Sequence, residues 1–196
     1  MFELFNGVYT VNSFGDHKHS STEEMWDQLL TAGKVIYGVS SDDAHHFQTI
    51  AHNKSNPGRG WVMVQASRLD SDEIVKAMLR GDFYASSGVF LQLCDRHSDA
   101  YVIVVDEQKT KKQLSSHEVR GKHVVKGTNG YKIEFIGKNG KLLKEVKGPR
   151  GAYKIKKSDS YVRARVTFTR KHPNNGYEEY FAWGQPVFFD GKEYLH

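Results

Sequence analysis

The chain has 196 residues, 38% of them hydrophobic, with a formal charge of +5 and a pI near 9.1, enough to bury a core in one large domain or two small ones. No stretch approaches the ~18 apolar residues of a membrane span, and the start Met1-Phe2-Glu3-Leu4-Phe5 lacks the basic opening and apolar run of a signal peptide. Cys94 is the only cysteine, which excludes an intrachain disulfide and a cysteine zinc cage; a cytoplasmic protein is expected if Met1 is the native start.

Residues 2–5 form a short apolar strand ending at Asn6-Gly7, and residues 8–20 read as a polar loop. Ser21 or Thr22 then caps a helix with acidic residues in its first turn, an apolar face of Met25, Trp26, Leu29 and Leu30, and a stop at Ala32-Gly33. Residues 35–39 are β-branched and short, as a buried parallel strand would be. The pattern repeats. A polar loop leads to a strand at 61–66, Asp70 or Ser71 caps a helix carrying Ile74, Val75, Met78 and Leu79, Gly81 stops it, and 83–85 is another strand. Alternating strands and helices predict a parallel α/β layer over residues 1–88.

From residue 89 the sequence reads as strands without intervening helices, at 90–94, 101–105, 131–136, 142–146, 161–169 and 180–189. Asn139-Gly140 is a type I′ hairpin signal, and the alternation in Tyr161-Val162-Arg163-Ala164-Arg165-Val166 predicts a β-sandwich over residues 89–196. Most of the lysine excess falls after position 109. Such a surface can meet an anionic polymer, but RNA-binding and helix-turn-helix signatures are lacking, which argues against nucleic acid, and edge lysines also prevent strand aggregation.

Parallel α/β layers place their sites at the carboxyl ends of strands, and Ser41-Asp42-Asp43-Ala44-His45-His46 follows the strand ending at Val39. Asp43 and His45 put a carboxylate and an imidazole on one turn, a ligand pair suited to zinc, manganese or iron. The same spacing also suits a turn-capping aspartate and a packed histidine. Glu3 sits at a strand end beside the loop and could orient a ligand. His46 and His52 could support the site or lie exposed, and Arg59 could reach a phosphate or belong to a flexible Gly-Arg-Gly turn.

Residues 34–47, Pro57-Gly58-Arg59-Gly60-Trp61-Val62-Met63-Val64 and Gly81-Asp82-Phe83-Tyr84-Ala85-Ser86-Ser87-Gly88 resemble, in order, the last part of the polymerase and histidinol phosphatase (PHP) superfamily of metal-dependent phosphoesterases. Residues 3–7 and 26–30 resemble the segment leading into it, and Ala182-Trp183-Gly184-Gln185-Pro186-Val187-Phe188 resembles the end of a sandwich appended to one branch of the family. The resemblance implies the C-terminal portion of a distorted β/α barrel followed by an antiparallel β-sandwich, with Asp43 and His45 as ligands of a divalent metal and a phosphoester as substrate. Family members carry further ligands on earlier strands, beginning with His-x-His after an apolar strand. His17-Lys18-His19 has that spelling without the strand and reads as a solvated loop. The expectation is therefore a fragment or truncated member, inactive alone, that forms a homo-oligomer or meets a chain completing the barrel. The alternative is a noncatalytic module whose basic sandwich binds an anionic polymer or a protein.

Overall fold

A computed structural model describes residues 1–51, 53–96, 99–116, 122–189 and 194–195. In chain order the elements are β1 (Phe2–Asn6), α1 (Thr22–Thr31), β2 (Gly38–Ser41), β3 (Trp61–Val64), α2 (Ser71–Arg80), β4 (Phe83–Ser86), β5 (Leu91–Asp95) and β6 (Ala100–Val105). There follow α3 (Glu107–Ser116), β7 (Lys122–Val124), β8 (Gly130–Gly137), β9 (Lys141–Lys147), β10 (Arg150–Lys154), β11 (Tyr161–Lys171), β12 (Tyr177–Phe189) and β13 (Tyr194–Leu195). Local signals account for many of the boundaries. Ser21 and Glu24 form a reciprocal capping box at the start of α1. Asp70 accepts from the backbone N–H groups of Asp72 and Glu73 at the start of α2, and Gly81, at φ 75°, ends it in the left-handed conformation.

The fold is mostly β, and the expected portion of a β/α barrel is not there. β3 pairs antiparallel with β4, β4 pairs antiparallel with β12, and both join an eight-stranded sheet whose main path runs β3-β4-β12-β11-β8-β9. Only β1 and β2 pair in parallel among the described residues. Strand–helix–strand periodicity is identical for a parallel crossover and for a helix-containing antiparallel connection, so the second repeat was not distinguishable by pattern. The outer edge of β1 is also engaged: the Thr22 hydroxyl donates to Leu4 O at 2.5 Å, and Asn6 N donates to the Ser13 hydroxyl at 3.2 Å. Side chains take up edge groups that a further barrel strand would need.

The sandwich is present. A three-stranded sheet, β10-β6-β5, covers one face of the large sheet, with Tyr101, Ile103 and Tyr153 packed against Ile133, Phe135 and Val166. The other face receives α1 and β1 through Trp26, Leu30, Leu4 and Phe5 against Tyr161, Phe181 and Trp183. β11 serves both cores. Its even-numbered residues Val162, Ala164, Val166 and Phe168 join the sandwich, whereas Tyr161, Arg163 and Arg165 turn toward α1. Helix α3 interrupts the expected run of strands; Asp106 accepts from Lys109 N at 2.9 Å, and Thr110 and Leu114 bury its inner side. Asn139 and Gly140 both take positive φ, 60° and 69°, as the type I′ signal requires. No helix is long and apolar enough to cross a membrane among the described residues.

Helix α1 is clamped to the sheet by charge. Arg163, 2% exposed, donates to both oxygens of Asp27 at 2.7 Å and to Glu23 at 3.2 Å. Tyr161 adds a 2.8 Å bond to Asp27, and the Trp26 ring lies 5.1 Å from the guanidinium carbon. Removing one member of a buried pair strands its partner. Asp27→Ala is expected to lower the unfolding free energy by about 3–5 kcal/mol in a urea titration, and Arg163→Met in the same chain to restore a large part of it.

Burial alone would raise the Glu23 pKa, but Arg163 and Arg165 more than offset it and hold the carboxyl below its ordinary value of 4.5. A carboxylate depressed in the folded state contributes stability above its unfolded pKa and loses it as pH falls through the folded value. Thermal melts should therefore show stability declining below about pH 4.5, with a shallower decline in Glu23→Gln.

Candidate functional site

The parallel pair β1 and β2 aligns Glu3 with Val39 and Asn6 with Ser41, so both strands end at the same level. Strand β2 begins at Gly38, later than the β-branched run suggests. Residues 36 and 37 are instead tied down individually, Ile36 O by the Trp26 indole N–H at 2.9 Å and Tyr37 O by Phe2 N at 2.8 Å. The pair is moored to the sandwich by Gln185, fully buried, whose side-chain amide accepts from Gly38 N and donates to Gly38 O, both at 2.8 Å.

At the carboxyl ends a continuous chain of polar contacts crosses from β2 to β1 and back. The Ser41 hydroxyl donates to Glu3 Oε1 at 2.6 Å. Asn6 Nδ2 donates at 3.2 Å both to Glu3 Oε2 and to Asp43 Oδ2, and its carbonyl oxygen accepts from Val8 N at 2.9 Å, which fixes the amide's orientation. Asp43 Oδ1 then meets His45 Nε2 at 3.0 Å. Asp43, His45 and Glu3 are thus brought together, with Asn6 as the link. Neither Asn6 nor Ser41 was singled out in the sequence, because their role depends on the parallel register.

Neighbouring residues Asp42 and Asp43 have opposite assignments. Asp43 adopts φ 47°, a left-handed conformation that Asp tolerates better than most residues. Its side chain faces the strand ends, while that of Asp42 turns inward and accepts from Gly58 N at 3.0 Å, Arg59 N at 2.5 Å and Gly60 N at 2.7 Å. Gly60 has no room for a Cβ beside the Ser41 carbonyl, which explains the glycine. Arg59 is 2% exposed and donates to Gly7 O, Ala51 O and Asn56 Oδ1 at 3.4, 3.0 and 3.3 Å. It staples together the two loops that flank the site, so its guanidinium is committed to protein rather than presented to a phosphate. His46 accepts from Ser55 N at 3.2 Å and orders the same loop. His52 lies outside the described residues. His17 and His19 sit in an exposed loop where Asp16 accepts from Lys18 N and His19 N and meets the His19 ring at 2.9 Å.

Two ligands about 2.0–2.1 Å from a tetrahedral zinc lie about 3.3 Å apart. The 3.0 Å separation of Asp43 and His45 is close to that spacing. Both are accessible, with side chains 44% and 65% exposed. Glu3 does not add a third ligand, because the Asn6 amide lies between its carboxylate and that of Asp43. Among the described residues no group of three or more His, Cys, Asp or Glu is placed to hold a metal ion, and a catalytic zinc takes about three protein ligands. The donors fit part of a metal site and not a complete one.

The division between the two aspartates is testable. Asp42→Ala removes three charge-assisted bonds, and we expect a loss of about 3 kcal/mol with faster amide exchange at Gly58, Arg59 and Gly60. Asp43→Ala should leave those three amides protected. No protein-family model, curated protein or solved structure matches the chain, so the reading of the site rests on its residues and geometry.

Proposed function

We propose that the carboxyl ends of β1 and β2 form part of a divalent-metal phosphoesterase site, to which this chain contributes Asp43 and His45 as ligands. The observation that carries the reading is the 3.0 Å approach of Asp43 and His45, exposed at the end of a parallel strand pair and held there by Asn6 and Glu3. Carboxylate plus imidazole is a donor set for zinc, manganese or iron. Phosphoester as substrate class comes from the resemblance of residues 34–47 to the PHP phosphoesterases; the barrel of that family forms no part of the proposal.

A metal bound there would polarise a phosphoryl oxygen and acidify a bound water. The chain's own residues do the positioning. Asn6, locked by Val8 N, keeps one Asp43 oxygen turned away from His45, so the other remains directed at the imidazole. Ser41 and Asn6 together engage both Glu3 oxygens, which makes Glu3 a support for the ligand pair. The remaining ligands come from outside the described residues, from a second copy or another polypeptide packed over the strand ends.

Zinc titration followed by calorimetry tests this. The chain should bind one zinc weakly, with affinity reduced at least tenfold in His45→Ala and in Asp43→Ala, and should hydrolyse 4-nitrophenyl phosphate negligibly by itself. Zinc binding unaffected by both substitutions would overturn the ligand assignment. Metal-dependent turnover by the chain alone, abolished in His45→Ala, would overturn the claim that the ligand set is partial.

A further inference from the structure

A cleft of about 680 Å³ opens between the N-terminal turn of α1 and the part of the large sheet that α1 leaves uncovered. Its size falls within the roughly 300–1,000 Å³ of small-molecule sites. Glu3, Asp43 and His45 are not among its lining residues, so it stands apart from the strand-end site. We propose that this cleft binds a neutral polyhydroxylated ligand, a saccharide.

Three observations lead there. First, the lining charges cancel: among the described residues four cationic side chains face four carboxylates. Arg165, on the floor, is itself divided between Glu23 at 2.7 Å and Glu134 at 2.9 Å, and Lys132 reaches Glu134 at 3.0 Å. A phosphate or a polyanion would find little net field, because each accessible cation already has a carboxylate partner or an aromatic one, as Lys122 has in the Phe14 ring at 5.0 Å. Second, the same ion pairs hold donors and acceptors side by side in fixed orientations. A ligand whose hydroxyls both donate and accept can match such a surface without paying to order it. An apolar ligand would desolvate those groups without replacing their bonds to water.

Third, the polar floor adjoins an aromatic step. Phe14 and Phe181 have centroids 5.4 Å apart, and Phe181 stacks on Trp183 at 5.5 Å and 20°. The half-buried Phe14 ring, with the Lys122 ammonium over one face, adds apolar surface for the C–H groups of a sugar ring to a lining that also includes Thr167, Ser20 and Ser21. The buried Trp183 indole N–H lies against Glu23 and helps to hold its carboxyl low. Its resonance makes a reporter for any group that moves Glu23.

Nitrogen-resolved NMR of the whole chain tests the proposal, with glucose, galactose, mannose and N-acetylglucosamine as probes and inorganic phosphate for contrast. At least one sugar should shift the Trp183 indole and Arg165 Nε–H signals saturably, and phosphate should not. Ser20 is exposed at the rim, so Ser20→Trp should preserve the fold and weaken the sugar's binding tenfold or more. Thr167→Val, which replaces a hydroxyl with a methyl group, should weaken it by a smaller factor. Silence with all four sugars up to tens of millimolar, a response to phosphate alone, or shifts unchanged in Ser20→Trp would overturn it.

Discussion

The pairing of Asp27 with Arg163 is the constraint on which the rest of the molecule depends. Two charges buried between a helix and a sheet cost several kcal/mol each to remove from water. Here the cost is offset by two parallel 2.7 Å bonds, a phenol hydroxyl, a second carboxylate and an indole face. Burial, followed by the nearby Asp27 charge, pushes the Tyr161 phenol up to about 12, so it remains a neutral donor to Asp27 across the physiological range. Such a network contributes little net stability over a well-packed apolar contact, but it tolerates only one placement of the helix. Since α1 joins β1 to β2, fixing α1 on β11 fixes both ends of the parallel pair.

That consequence reaches the strand ends through Gln185. Its amide turns one N–H and its carbonyl oxygen to Gly38, pairing with that residue as a neighbouring strand's peptide groups would. The parallel pair is thereby joined to the sandwich without a continuous sheet. Gly38 has no side chain because Leu4 and Trp26 fill the place where a Cβ would stand. A hydrogen-bonded mooring at one end and an ion-paired helix at the other leave the carboxyl ends of β1 and β2 positioned by the sandwich, although all the site's polar contacts are local.

How much of this could be read from the sequence follows from which interactions are local. The helix caps at Ser21 and Asp70, the stop at Gly81 and the Asn139-Gly140 turn involve residues within a few positions of one another, and all were legible. The eight-stranded sheet was not, since the direction in which β3 meets β4 is decided by distant β12. Helix α3 carries a single buried leucine, so its periodicity is faint, and its buried Thr110 is recognisable only from the bond it accepts from Phe90 N at 2.9 Å. In β11 the alternation was read correctly as a strand, yet Arg163 and Arg165 appear in a sequence as the solvent-facing set. Their inward placement becomes visible only when Asp27 and Glu23, more than a hundred residues earlier, are placed opposite.

The candidate site shows the same limit at finer scale. Asp43 and His45 are two residues apart, so their meeting was readable, whereas Asn6 enters from another strand 37 positions away. Asn6 also changes the chemical meaning of Glu3. Without the amide, two carboxylates would face each other at the strand ends with no donor between them. With it, one neutral donor satisfies an oxygen of each, and the other Asp43 oxygen faces His45. A neutral residue at this position therefore separates Glu3 from the Asp43–His45 contact, so the two groups that meet at the strand ends are a carboxylate and an imidazole and not two carboxylates.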